Sequence, residues 1–211
     1  MLAGATGLVG SHVLRLLLAE TAWTRVVTVG RRSTSQRHHK LEQRTVDFRS
    51  LIDLPHVDDA FCCLGTTIKQ AGSQEGFRRV DHDYVVALAQ AGLRAGATQF
   101  LLVSAVGADP AARMFYSRVK GETEAAVRTL PYSGIQIFRP SLLLGERIEF
   151  RLGERVAARL APLLSVPLLG RWRRYRPIHA EVVASAMTHI ALEAPGGPNV
   201  FEYDAMTAAA Q

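Results

Sequence analysis

Lysine is nearly missing from this chain: Lys40, Lys69 and Lys120 are the only three among 25 basic residues, and arginine supplies the rest. Cysteine is scarcer still. Its two copies, Cys62 and Cys63, are adjacent, a spacing poorly suited to a structural disulfide. No C-x-x-C or H-E-x-x-H spacing occurs, so no metal site is expected. The start lacks a charged segment followed by an apolar run, which argues against secretion, and the free thiols then point to a reducing cytoplasm. Long apolar runs are absent too. The nearest to the roughly 18 residues of a membrane span is 156–169, which Arg159, Pro162 and Pro167 interrupt, so no membrane partner is expected. There are no repeats or low-complexity tracts, and Pro195-Gly196-Gly197-Pro198 reads as a turn.

What is present is ordinary globular composition, 48% hydrophobic and 21% charged over 211 residues, which suits one domain, 1–211, with a sizeable core. The net charge of +6 raises the question of nucleic acid. The dense cationic stretch is Arg171-Trp172-Arg173-Arg174-Tyr175-Arg176, and no stacking platform or recognition motif accompanies it. It reads as a solvated face or a hold for an anionic substrate, and no nucleic-acid partner is expected. Arg37-His38-His39-Lys40 reads as a solvated loop.

Short apolar runs alternate with longer helical ones, the pattern of βαβ units on a parallel sheet. Helices are predicted over 8–22, 74–95, 111–129, 149–160 and 180–192, with Pro110 near the start of the third. Strands are predicted over 25–29, 44–48, 60–64, 99–104, 135–138 and 199–203. The fold class is therefore α/β, a Rossmann-type doubly wound, mostly parallel sheet. Its last third forms a small C-terminal substrate-side lobe, mainly 141–180.

The chain opens on Gly4-Ala5-Thr6-Gly7-Leu8-Val9-Gly10, glycine at every third position between an apolar start and an amphipathic helix. The first glycines permit a tight turn and let backbone N–H groups approach a pyrophosphate; the last permits close packing of helix on strand. The helix N-terminus adds its partial positive charge. A glycine triplet alone is weak, but this one leads an alternating β/α chain, which points to a dinucleotide site formed by Gly4, Thr6, Gly7, Leu8, Val9 and Gly10. The next strand ends Gly30-Arg31-Arg32, where a carboxylate would bind the ribose of NAD and arginine would pair with a 2′-phosphate. Arg31 and Arg32 thus favour NADP(H), with NAD(H) left open. Asp47 reads equally as a contact to the adenine amino group or as a turn residue.

Tyr116 and Lys120 stand four residues apart, on one face of the same predicted helix. A neighbouring ammonium favours phenolate, which would draw the tyrosine pKa down from about 10. Such a tyrosine donates a proton to a carbonyl oxygen as hydride arrives, or accepts one in reverse. With three lysines and five tyrosines in 211 residues, this spacing is uncommon by chance.

These pieces resemble an atypical short-chain dehydrogenase/reductase, more narrowly the Tat-interacting-protein-like branch of NAD(P)-binding oxidoreductases. The resemblance is carried by Gly4 to Gly10, Phe61-Cys62-Cys63-Leu64-Gly65-Thr66-Thr67-Ile68-Lys69, Val80-Asp81 and Val103-Ser104-Ala105-Val106-Gly107-Ala108-Asp109. It continues in Phe115-Tyr116 through Lys120-Gly121-Glu122 and Phe138-Arg139-Pro140-Ser141-Leu142-Leu143-Leu144-Gly145, and faintly in Pro177-Ile178-His179-Ala180. It implies about seven parallel strands with NADP(H) across their C-terminal ends. Tyr116 would be the acid/base, and Lys120 would hold the nicotinamide ribose and tune Tyr116. Leu64, Gly65 and Thr66 would line the cofactor, with Pro140 and Leu143 near the nicotinamide. By analogy, the 74–95 and Tyr116 helices are faces for a homodimer.

Two departures stand out. Ala105 falls where a hydroxyl would polarise the substrate carbonyl; the neighbouring hydroxyl, Ser104, is the remaining catalytic candidate, although successive strand residues face opposite ways. The helix asparagine of the better-known branch has no clear counterpart in Val80-Asp81-His82-Asp83. The leading expectation is an NADP(H)-dependent oxidoreductase acting on a carbonyl or alcohol of a small molecule; the alternative is a redox-sensing or scaffolding protein that binds NADP(H) with little turnover. Cys62 and Cys63 read as buried strand residues rather than nucleophiles, and His179 as structural. Only Met1-Leu2-Ala3 precede Gly4, against the five to six or so residues of a mean strand, so several apolar residues are expected to be missing upstream.

Overall fold

The strands that read as continuous apolar runs do so because both faces of the sheet are covered. The computed structural model describes residues 1–145 and 169–211. Its first half runs β1 (Leu2–Ala3), α1 (Leu8–Ala19), β2 (Val26–Gly30), β3 (Leu41–Thr45), β4 (Asp59–Cys62), α2 (Ile68–Ala71) and α3 (Gln74–Arg78). A π-turn (Arg79–Asp83) leads directly into α4 (Tyr84–Arg94), then β5 (Gln99–Val103), α5 (Phe115–Arg128), β6 (Gly134–Phe138) and β7 (Leu143–Leu144). After the undescribed stretch come a 3₁₀ turn (Gly170–Tyr175), β8 (Ile178–His179), α6 (Ala180–Glu193), β9 (Gly197–Phe201) and α7 (Tyr203–Ala209).

Seven strands form one parallel sheet in the order β3-β2-β1-β4-β5-β6-β9. The order reverses at β1, which lies between β2 and β4, so a crevice opens beyond the carboxyl ends of β1 and β4. Alternate residues feed two cores. Val27, Val29, Ala60, Cys62, Phe100, Leu102 and Ile137 pack with Val85 and Leu88 of α4 and Val127 of α5. Leu2, Val26, Phe61, Leu101 and Phe138 pack on the other face with Val9, Val13 and Leu17 of α1 and Val183 and Met187 of α6. The two-residue β1 is fully buried despite its length. The short β7–β8 pair forms a separate small sheet on the C-terminal side.

Several predicted boundaries shift for local reasons. The first helix stops at Ala19 because Glu20 Oε1 accepts the N–H groups of Thr21 and Ala22. The third strand lies at Leu41–Thr45, not 44–48, set by its register against β2. The predicted 74–95 helix is interrupted by the π-turn. The next helix begins at Phe115 rather than 111, because Asp109 captures the N–H groups of Ala111 and Ala112 in a turn of its own. The last strand ends at Phe201, and Tyr203 instead opens α7, which the pattern did not predict. The predicted 149–160 helix lies outside the described residues.

Candidate functional site

The glycine turn follows directly from β1. Gly4 sits at φ +83°, and a Cβ there would lie 2.3 Å from the Cys63 carbonyl oxygen at the end of β4. Only glycine lets these two strand ends come together. The Gly7 N–H closes the turn on the Gly4 carbonyl at 2.9 Å, and a Cβ on Gly10 would lie 2.1 Å from that same oxygen. Gly10 therefore packs against the turn itself. Gly7 caps α1 without any side-chain hydrogen bond, so the first helical N–H groups face the crevice without a capping side chain. Val9 is buried in the core, Leu8 packs against its edge, and Thr6 is exposed. A turn in which Gly4 and Gly10 have no room for a Cβ, followed by uncapped helix amides, fits a dinucleotide pyrophosphate.

Arg31 and Arg32 follow β2 at the same end of the sheet, both exposed and without an ion pair among the described residues. Asp47 lies two residues past β3, with its carboxylate on Arg49: Oδ1 accepts the backbone N–H at 2.9 Å and Nε at 3.3 Å. That matches its reading as a turn residue.

On the other side of the crevice, the loop after β4 carries Leu64, Gly65 and Thr66. The Thr66 N–H donates to Asp81 Oδ2 at 2.9 Å, and Asp81 Oδ1 lies 2.7 Å from Lys120 Nζ. This ion pair is deeply buried, with the two side chains 1% and 7% exposed. Burial opposes the charge of Lys120, but Asp81 and then Tyr116 outweigh it and hold the ammonium above its ordinary pKa. Cys62 of β4 looks onto the same pair, and burial pushes its thiol up to about 12. Tyr116, one turn before Lys120, is 38% exposed, with its ring centroid 5.5 Å from that of Phe77 on α3.

One turn beyond Lys120, Glu124 is buried. The Ser104 hydroxyl donates to its Oε1 at 2.6 Å, and Arg139 grips both oxygens, Nε on Oε1 at 2.9 Å and a terminal nitrogen on Oε2 at 2.5 Å. These bonds, together with the charge of Glu124, outweigh partial burial and raise the pKa of Arg139. Ser104 thus points to α5, and its hydroxyl is engaged by Glu124. Pro140 is buried and its carbonyl accepts the Val106 N–H at 2.9 Å, joining the loops after β5 and β6; Leu143 is half-buried in β7. The crevice thus brings together the glycine turn, the Leu64–Thr66 loop and the Tyr116–Lys120 helix. Asp81 and Glu124 were missed as site residues. The spacing of Tyr116, Lys120 and Glu124, each four apart on one helical face, was the available signal for Glu124.

The cationic stretch is largely matched within the fold. Arg173 pairs with Asp204 at 2.8 Å, Arg174 lies 3.9 Å from Glu202, and Arg171 lies over the Trp172 ring.

The model of a family described as the NAD dependent epimerase/dehydratase family matches residues 1–199. Protein HTATIP2 of Rattus norvegicus is 38% identical over 161 residues, covering 73% of this chain and 66% of the rat protein, just under two thirds of its length. The protein named fmp52, mitochondrial, of Emericella nidulans is 33% identical over 211 residues, covering 93% of this chain and 88% of the fungal one. Among solved structures, MoeE5 in complex with UDP-glucose and NAD superposes with a TM-score of 0.72 at 18% identity, covering 96% of this chain and 74% of that one. The human epimerase family protein SDR39U1 with NADPH gives 0.66 at 20%, covering 95% and 72%. Likeness at such identities is one of fold. The word mitochondrial in the fungal name overturns the cytoplasmic assignment read from the sequence: free thiols indicate reducing surroundings, not one compartment.

Proposed function

The chain belongs to the NAD dependent epimerase/dehydratase family, in the atypical short-chain branch its motifs indicated, and on that premise we propose that it is an NADP(H)-dependent oxidoreductase acting on a carbonyl or alcohol of a small molecule. The observation that carries this reading is the buried Lys120–Asp81 pair, one helical turn from Tyr116 and joined through Thr66 to the loop beside the glycine turn. A nicotinamide cofactor supplies the hydride when bound. The glycine turn and the α1 amides bind its pyrophosphate, and Arg31 and Arg32 pair with a 2′-phosphate. Tyr116 donates a proton from its hydroxyl to the substrate oxygen in reduction and takes it back in oxidation. Lys120 donates to the nicotinamide ribose and presents its charge to Tyr116. Gly65, Pro140 and Leu143 shape the nicotinamide end.

A second reading, an NADP(H)-binding sensor or scaffold with little turnover, is favoured by Ala105 and by the engagement of Ser104 with Glu124, which leave that end of β5 without a hydroxyl for the substrate carbonyl. Binding of NADPH, followed by its fluorescence, and NADPH oxidation against a panel of aldehydes and ketones separate the two. The oxidoreductase reading expects turnover that falls by about 10²–10⁴-fold in Tyr116→Phe while NADPH stays bound. Turnover that survives this substitution overturns the role of Tyr116, and tight NADPH binding without reduction of any panel member favours the sensor.

A further inference from the structure

Asp81 lies at the middle of the π-turn that interrupts the α3–α4 rod. Such a turn inserts a residue into the helical ladder and frees a backbone group for other partners. The Asp81 carbonyl lies 2.9 Å from Thr123 Oγ1 on α5, a hydroxyl that also lies 2.7 Å from the Val119 carbonyl. The side chain of Asp81 does two further things at once. Its Oδ2 accepts the Thr66 N–H of the loop after β4, and its Oδ1 forms the ion pair with the Lys120 ammonium. One buried residue therefore joins the cofactor-side loop to the helix that carries Tyr116 and Lys120.

The titratable groups facing Lys120 are Asp81 from the π-turn, Tyr116 from its own helix and Cys62 from β4; Asp81 is the one carboxylate among these. A buried ammonium without a counter-charge sheds its proton, because removal from water penalises the charged form. We propose that Asp81 is the positioning residue of the Tyr116–Lys120 pair, whose carboxylate keeps Lys120 protonated inside the protein and fixes it between Tyr116 and the cofactor loop. The role rests on the oxidoreductase reading for its purpose, but not for its test. An asparagine in the same place still accepts the Thr66 N–H and has nearly the same volume, yet it brings no charge. Asp81→Asn therefore separates charge balance from simple packing.

With three lysines in the whole chain, lysine labelled with ¹³C at the ε carbon gives a spectrum simple enough to follow each residue without cofactor or substrate. Lys120 is assigned as the signal that persists in both Lys40→Arg and Lys69→Arg. In the wild-type chain Lys120 is expected to titrate above the ordinary lysine value of about 10.4. In Asp81→Asn it is expected to lose at least about tenfold in proton affinity, one pH unit, relative to wild type. A wild-type Lys120 that titrates at or below the ordinary value overturns the proposal even if the variant does not fold. So does an Asp81→Asn protein that folds, loses thermal stability and leaves the Lys120 titration where it was, which is the signature of a structural pair alone. Absence of turnover alongside the expected titration counts against the oxidoreductase reading and leaves the Asp81 role standing.

Discussion

The Ser104 hydroxyl and Glu124 Oε1 lie 2.6 Å apart, a hydrogen bond that joins the residue after β5 to the third turn of α5. Arg139, from the residue after β6, completes the same cluster on both carboxylate oxygens. Glu124→Gln removes the counter-charge of a partly buried guanidinium. Because Arg139 keeps some contact with solvent, the expected loss is moderate, about 1–3 kcal/mol by urea denaturation. Ser104→Ala removes one hydrogen bond and is expected to cost about 1 kcal/mol, with turnover falling far less than in Tyr116→Phe. A loss of turnover equal to that of Tyr116→Phe in a folded Ser104→Ala protein would return Ser104 to the substrate.

The double substitution Arg31→Ala, Arg32→Ala tests cofactor choice. A charge-assisted bond to phosphate is worth about 1.5–3 kcal/mol, so NADPH affinity is expected to drop about 10- to 100-fold while NADH affinity changes little. Titration of both cofactors against both proteins reads this directly. Equal losses for the two cofactors refute the 2′-phosphate assignment.

Gly10 and Gly196 form a matched pair for the close-approach argument. A Cβ on Gly10 meets the Gly4 carbonyl oxygen at 2.1 Å, whereas on Gly196 the nearest atom is 3.8 Å away. Gly10→Ala is expected to cost about 1–3 kcal/mol through forced backbone displacement and to weaken NADPH binding with it. Gly196→Ala is expected to stay within about 0.5 kcal/mol of wild type. Thermal melting with and without NADPH distinguishes the two.

Burial raises the Cys62 thiol to about 12, and this has a pH consequence. The folded chain keeps the proton where the unfolded chain, with an ordinary thiol near about 8.5, releases it. The contribution of Cys62 is therefore fully present below about pH 8.5 and declines as pH rises from there towards the folded value, by at most about 1.4 kcal/mol per pH unit. Urea midpoints measured from pH 7 upwards in wild type and Cys62→Ala check it: the variant is expected to lose less stability over that range. Parallel curves would remove Cys62 as a source of alkaline sensitivity.

Much of the fold was legible because its signals are local or periodic. The runs Val26–Gly30, Gln99–Val103 and Gly134–Phe138 are almost wholly buried, and their largely apolar character, broken only by Thr28, Gln99 and Gln136, announced parallel strands. The edge strand β3, with the sequence LEQRT, has little such character, and its register was misplaced because pairing with β2 decides it. The start of α5 was misjudged because Asp109 competes for the N–H groups of Ala111 and Ala112, and nothing periodic reports that competition. The π-turn left no trace in the pattern, because 74–95 remains helical on either side of it.

The sequence by itself determined the glycine turn and the Tyr116–Lys120 spacing, since both depend on neighbours within one turn of chain. It also marked the two arginines after β2, because strand ends in an alternating β/α chain fall on one edge of the sheet. Only the tertiary structure decided why Gly4 must be glycine, since the Cys63 carbonyl that excludes a Cβ arrives from another strand. Only it decided that Lys120 is held by Asp81, 39 positions earlier in the chain, and that Ser104 turns to Glu124. Backbone turns and helical spacing are written in consecutive residues. The partner of a buried charge is not, because it is chosen by which elements the two cores press together, and there an unpaired ion costs far more than any local preference can offset.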